Sequence, residues 1–171
     1  MSKATRDKRT FKNLNYLAGF FDGEGSIFIA KINNKKSGNV WYRLTASCGN
    51  SDRRPIDMLR KFNPNLKSFI YRSGRKESYK PCYQWLATGN TALNFLEILK
   101  DRLIVKKKQA FIGIEFQKWR NSLKNDGKPR SKEIMDKCEK YRLKIKNLNL
   151  KVYLQSQRLS EETLKKSEAI V

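Results

Sequence analysis

Residues 17–25 read Leu-Ala-Gly-Phe-Phe-Asp-Gly-Glu-Gly, two acids and two glycines directly behind a close-packing apolar run. The pattern reads as the end of a helix that delivers a carboxylate, Glu24, to a fixed point. An acid beside the negative end of a helix dipole is poorly placed unless a cation comes near. The chain as a whole is strongly cationic, with 38 Lys+Arg against 16 Asp+Glu and a formal charge of +22. A fixed carboxylate in such a protein suggests metal-assisted chemistry on a polyanion. The plainer alternative for Glu24 is an acid that faces water behind a helix. Asp22 is either a second ligand or an acceptor for backbone hydrogen bonds at the helix end.

Composition narrows the classes. At 171 residues the chain suits one domain, or one domain with a tail, and can bury a real core. Hydrophobic residues at 39% and aromatics at 11% exclude a disordered basic tail. A basic folded domain points to nucleic acid before an anionic membrane. No apolar run approaches the ~20 residues of a membrane span, and the basic start lacks the apolar segment of a signal peptide. Cys48, Cys82 and Cys138 are too few and too scattered for a disulfide framework or a zinc motif, which suits an intracellular compartment. Histidine is absent, so Ser-His, Cys-His and His-metal chemistry are excluded. Carboxylate, lysine, metal and water remain.

The elements that must position Glu24 follow from periodicity. Asn13 caps a helix to about Asp22, with Leu14, Leu17, Ala18 and Phe21 on one face. Gly19 lowers helix propensity and makes sense where another backbone comes close. Strands are expected over 26–33 and 40–49 around the loop 33–39, and over 66–73 and 80–88 around the loop 74–79. A short helix from Asp52 separates the hairpins. Helices over 90–100 and 105–120, a linker at 121–129 and a helix from Ser131 to about Leu148 follow. The fold class is α+β, an αββαββα core with an antiparallel sheet, helices on one face and extra C-terminal helices. Residues 1–12 read as a basic arm, 13–148 as the domain and 149–171 as a basic tail.

Strand alternation sorts residues by face. Tyr42, Leu44, Ala46 and Cys48 share one side; Trp41, Arg43, Thr45 and Ser47 share the other, a basic face suited to DNA. Tyr71, Ser73 and Arg75 share one parity of the third strand, and Gln84 points outward on the fourth. Asn34, Lys35 and Lys36 sit in the first hairpin loop, within reach of flanking bases or phosphates. In the first strand, Phe28, Ala30 and Ile32 hold the parity expected to face DNA. Either they meet thymine methyls, or a bulge shifts the register and turns Lys31 to the DNA.

The stretch at 17–25, followed by Ser-Ile-Phe-Ile, resembles the signature of the LAGLIDADG homing endonucleases. The stretches at 44–59 and at 104–111 (Ile-Val-Lys-Lys-Lys-Gln-Ala-Phe) resemble that family's second strand and second basic motif. Together the likeness spans roughly residues 12–120. It implies a saddle-shaped sheet that binds DNA and a site-specific double-strand endonuclease. It implies Glu24 as the metal-binding acid, with the Gly23 carbonyl in the metal shell. It implies Lys106 near the scissile phosphate and Asn50 as a pocket residue that orients solvent. Glu at 24 and Asn at 50 depart mildly from the family pattern. The implied cofactor is Mg²⁺, with Mn²⁺ or Ca²⁺ able to substitute for binding.

The chain holds one signature copy, hence one acid, whereas two strands need two sites. Relatives with one copy are similar in acting as homodimers. This implies an interface along Leu14, Leu17, Ala18, Gly19 and Asp22, and a long near-palindromic site. The resemblance also implies intron homing, often in an organelle (chloroplast or mitochondrion). The rival readings are an RNA maturase or other binding module that has lost cleavage, and a basic structural RNA-binding protein.

Overall fold

The computed structural model describes residues 3–35, 38–62, 69–73, 82–123 and 130–168. Helix α1 (Lys3–Glu24) leads directly into strand β1 (Gly25–Asn33), which turns back as β2 (Val40–Asn50). Helix α2 (Arg53–Phe62) connects to β3 (Phe69–Ser73) and β4 (Cys82–Thr88). Three helices follow: α3 (Asn90–Leu99), α4 (Lys107–Ser122) and α5 (Lys132–Glu168). The sheet order is β1-β2-β4-β3, and every neighbouring pair is antiparallel. This is the expected α+β arrangement. Two helices are longer than the periodicity suggests. No glycine or proline interrupts residues 3–13 or 132–168, so the backbone has no local reason to leave the helix. Helix α1 starts ten residues before Asn13, and α5 continues past Leu148 through the segment read as a tail.

The core lies between one face of the sheet and the helices. Tyr42, Leu44, Ala46 and Cys48 of β2 and Trp85 and Ala87 of β4 point into it. Leu17, Ala18 and Phe21 of α1 meet them from the helix layer. Phe21 and Trp85 both pack on Phe95 of α3, with ring centroids 5.0 Å and 4.6 Å away. Two glycines allow the close approaches that this packing needs. A Cβ on Gly113 would come within 2.9 Å of the Leu44 side chain, so α4 rides directly on β2. A Cβ on Gly25 would fall onto the Phe21 carbonyl oxygen, so only glycine lets α1 turn at once into β1.

A polar chain fixes α4 and α5 on the hairpin. Buried Gln109 donates from Nε2 to Asn149 Oδ1 at 3.3 Å, and Asn149 Nδ2 donates to the Ile27 carbonyl at 3.0 Å. Burial of these amides is tolerable because each finds a partner. The other side of the sheet carries no helix layer among the described residues. None of the described helices is long and apolar enough to cross a membrane.

Candidate nuclease site and nucleic-acid interface

Glu24 is the last residue of α1 and is exposed. Gly25 pairs with Cys48 in the β1–β2 ladder, so Glu24 sits at the end of the sheet where β2 runs out to Asn50. Asp22, one half-turn back, takes the backbone role foreseen for it. Its carboxylate accepts the N–H groups of Ile104 at 2.5 Å, Val105 at 3.2 Å and Lys106 at 2.9 Å. These amides lead into α4, whose N-cap residue, Lys106, makes no side-chain capping bond of its own. A carboxylate from another element therefore satisfies donors at a positive helix end. The same contact joins the end of α1 to the start of α4.

Lys106 is consequently held against that junction. Its ammonium group donates to the Asp22 carbonyl oxygen. Burial pushes its pKa below the ordinary lysine value, while the nearby charges of Asp22 and Glu24 push the other way. Beneath them lies the buried Cys48 thiol, raised to about 12, first by burial and then by the Glu24 charge. Such a thiol stays protonated and inert. Asn50 ends β2 at the same corner. Its Oδ1 accepts the Asp52 N–H at 2.8 Å, a turn that leads into α2. One lone pair of the carboxamide oxygen is thus committed to structure, and the other, with the NH₂ group, remains for the solvent role implied by the family likeness.

The alternation expected on β2 is present. Trp41 and Arg43 are exposed and Ser47 is half-buried on the open face. Thr45 corrects the expectation: it shares that parity but is only 3% exposed. It lies mid-sheet between Phe28 of β1 and Thr88 of β4, and its hydroxyl turns to the Arg43 carbonyl at 3.4 Å. Gln84 lies across Gly49 of β2, close enough that a Cβ there would meet its Nε2 at 3.0 Å. Tyr71 on the outer strand is exposed, as is Lys35 in the hairpin loop, while Asn34 is half-buried. Lys36, Arg75 and the Ser73 side chain lie outside the described residues.

The register of β1 is resolved. Pairing runs without a bulge from Gly25 opposite Cys48 to Asn33 opposite Val40. Phe28, Ala30 and Ile32 therefore face outward with Trp41 and Arg43. Lys31 takes the helix side, 5.8 Å from the Tyr42 ring centre and 3.9 Å from the Glu139 carboxylate. The bulge that would have turned Lys31 to the open face does not occur.

The helix face expected to meet a second copy also needs correction. Leu17 and Ala18 are 1% exposed in this chain's own core and are not offered outward, while half-exposed Asp22 spends its carboxylate on the amides ahead of α4. Leu14 is half-buried. Gly19 is exposed, as is Gly23, and a Cβ on either would meet nothing within 4 Å. Tyr16, 50% exposed, stacks on Phe20 beside them, with ring centroids 6.3 Å apart and planes 3° from parallel. Gly19 of this second stripe was expected at a close backbone approach, but Tyr16 and Phe20 beside it were missed because α1 is apolar on two sides. The i, i+4 spacing of Tyr16 with Phe20 and of Gly19 with Gly23 was the available signal. Exposed Ile104 and Val105, beside the Asp22 contact, were missed as well.

A family model described as LAGLIDADG endonuclease matches residues 17–123. No curated protein matches the chain in sequence. Among solved structures, the fold is similar to that of the homing endonuclease I-CvuI in complex with the I-CreI target, with Mg present and the DNA not cleaved. The TM-score is 0.61 at 16% identity, covering 82% of this chain and 83% of that one. The archaeal intron-encoded homing endonuclease I-Vdi141I complexed with DNA gives 0.50 at 17% identity, over 78% of this chain and 98% of that one. The group I intron-encoded homing endonuclease I-CeuI complexed with DNA gives 0.51 at 12% identity, over 64% of this chain and 56% of that one.

Proposed function

The chain belongs to the LAGLIDADG endonuclease family, and from that premise we propose that it hydrolyses both strands of duplex DNA as a symmetric pair of copies. The observation that carries this reading is the exposed Glu24 carboxylate at the end of α1, with Lys106 tied to the same helix end through Asp22. One chain supplies one such carboxylate; two strands need two. Gly19 and Gly23 leave room for a second α1 to approach backbone to backbone. A two-fold axis along that face brings two Glu24 residues together.

The donors suit a hard cation. Mg²⁺ is commonly held by one or two carboxylates plus waters and substrate phosphates, not by a closed protein cage. Among the described residues no trio of Asp, Glu, His or Cys forms such a cage. Glu24 and the Gly23 carbonyl would hold such an ion, which when bound would supply a water of lowered pKa and offset charge on the scissile phosphate. Mn²⁺ or Ca²⁺ can replace it for binding. The Lys106 ammonium faces the same point and stabilises negative charge as it grows on the phosphate. Asp22 touches neither DNA nor metal; it positions Lys106 against Glu24. The open sheet face takes the major groove, and Arg43 supplies a fork suited to guanine. The other cationic side chains add phosphate contacts that give affinity without choosing a sequence. A symmetric pair calls for a near-palindromic target. An intronless allele, in an organelle, fits such an enzyme.

The test is cleavage of a random-sequence plasmid library by the full chain. Double-strand cuts at one recurring site in Mg²⁺, abolished by EDTA, are expected. Sequence-specific binding with no cut in Mg²⁺ or Mn²⁺ identifies a non-cleaving RNA maturase or binding module instead.

A further inference from the structure

The β1–β2 hairpin carries an apolar cluster on the open face of the sheet, remote from Glu24. Trp41 lies opposite Ile32, and Ala30 and Phe28 follow inward on the same face. Phe28 is 37% exposed and Trp41 39%. The core is on the other side of the sheet, so these side chains are not needed there to hold the fold. Arg43, opposite Ala30, is the one charged side chain that β1 and β2 place among them.

We propose that this cluster reads thymine 5-methyl groups in the outer part of each half-site, with Arg43 reading an adjacent guanine. The proposal rests on the DNA-cleaving function above. In the major groove of B-DNA, the apolar group that a base edge presents is the thymine methyl. Phosphates offer nothing that Phe28 or Ile32 can bind better than water does, and sugars are the same at every base pair and carry no sequence. The cluster thus converts exposed apolar surface, costly in water, into sequence preference. Gly49, beside the Cys48–Gly25 pair that carries Glu24, is eight residues along β2 from Trp41. At roughly 3.3 Å per residue that is about 26 Å, or about eight base pairs at 3.4 Å each. Phe28 is opposite Thr45, half that far along. The methyl preference therefore falls roughly four to eight base pairs outward from the cut. A platform for unpaired bases fits the spacing less well. Phe28 and Trp41 are four positions apart in register, roughly 13 Å along the strands, against about 3.4 Å between stacked neighbours.

The test selects bound sites from a random duplex library with the full chain in Ca²⁺. The recovered duplex is then resynthesised with deoxyuridine replacing thymidine at one position at a time. That change removes the methyl and keeps every hydrogen-bonding group. Binding should weaken about fourfold per methyl at the outer positions and stay unchanged elsewhere. Ile32→Ala and Trp41→Ala should abolish the sensitivity, so that both duplexes bind alike. The wild-type arm alone decides if either variant fails to fold. An outer region that tolerates deoxyuridine overturns the methyl reading and leaves the endonuclease standing. Tighter binding of single-stranded DNA or RNA than of the duplex overturns it in favour of a stacking platform. Failure to enrich any duplex overturns both this proposal and the function on which it rests.

Discussion

Two carboxylates of this protein, Glu139 and Glu24, are held in opposite ways. Glu139 of α5 is engaged from three sides. The Tyr42 hydroxyl donates to it at 2.7 Å, Arg142 grips both oxygens with a shortest bond of 2.6 Å, and Lys31 comes within 3.9 Å. Chiefly through the Arg142 hydrogen bonds, its pKa falls from 4.5 to about 2. The Tyr42 hydroxyl moves the other way, up to about 12, first through burial and then through its bond to Glu139. Glu24 has no hydrogen bond or ion pair among the described residues, although its backbone is fixed by the turn at Gly25 and by the Asp22 contact next to it. One carboxylate closes a joint between α5 and the first hairpin. The other is fixed in position with its oxygens unpartnered among the described residues. The contrast separates charge that maintains the fold from the charge proposed above to act.

Exchanging one atom in each carboxylate gives the largest expected contrast. Glu24→Gln should reduce cleavage by a factor of about 10³ or more, with thermal stability and DNA affinity nearly unchanged. Cleavage rates and melting curves taken on the same preparation check this. If Glu24→Gln melts early, the carboxylate belongs with Glu139 after all.

Asp22 lies between the two kinds. Asp22→Ala strips the Ile104, Val105 and Lys106 amides ahead of α4 of their acceptor and loosens Lys106. Cleavage should fall about 10- to 100-fold, and stability by about 1 kcal/mol. Single-turnover rates at saturating enzyme separate this positioning loss from weaker binding. A cleavage rate equal to wild type would show that Lys106 holds its place unaided.

Glu139→Gln should do the reverse of Glu24→Gln. A destabilisation of about 1–2 kcal/mol in urea, with cleavage per folded molecule unchanged, is expected.

The smallest effect is on the pH dependence of stability. The folded pKa of Glu139 is depressed, so its contribution is fully present above the unfolded value near 4.5 and is lost as pH falls towards about 2. Wild type should therefore lose stability over that window more steeply than Glu139→Gln. Parallel slopes in urea titrations between pH 5 and 2.5 would mean that the ion pair adds nothing.

The same contrast explains what the sequence made legible. Glu24 was readable because apolar residues and glycines around it fix a helix end, and because that signature is local. The β2 faces were readable because polar and apolar residues alternate from Arg43 to Cys48. The Glu139 joint was not, since it links residues 97 and 108 positions apart (Tyr42 and Lys31) that share no local pattern. Thr45 has the right parity but the wrong exposure, because neighbouring strands cover the middle of a sheet. Leu17 and Ala18 fit a helix–helix seam by type, yet the chain's own core claims them, and the outward stripe falls to Tyr16, Gly19 and Gly23. Composition gave no bound on the start of α1 or the end of α5, because no glycine or proline within 3–13 or 149–168 stops a helix.

The central proposal is that one carboxylate per chain cuts one strand. The measurement is cleavage of a supercoiled plasmid carrying the selected site by a tagged pair of one wild-type and one Glu24→Gln chain, purified through both tags. Nicked circles are expected from the mixed pair, linear DNA from wild type and no cutting from the doubly substituted pair. Linear DNA from the mixed pair, or cutting by the doubly substituted one, would contradict that proposal.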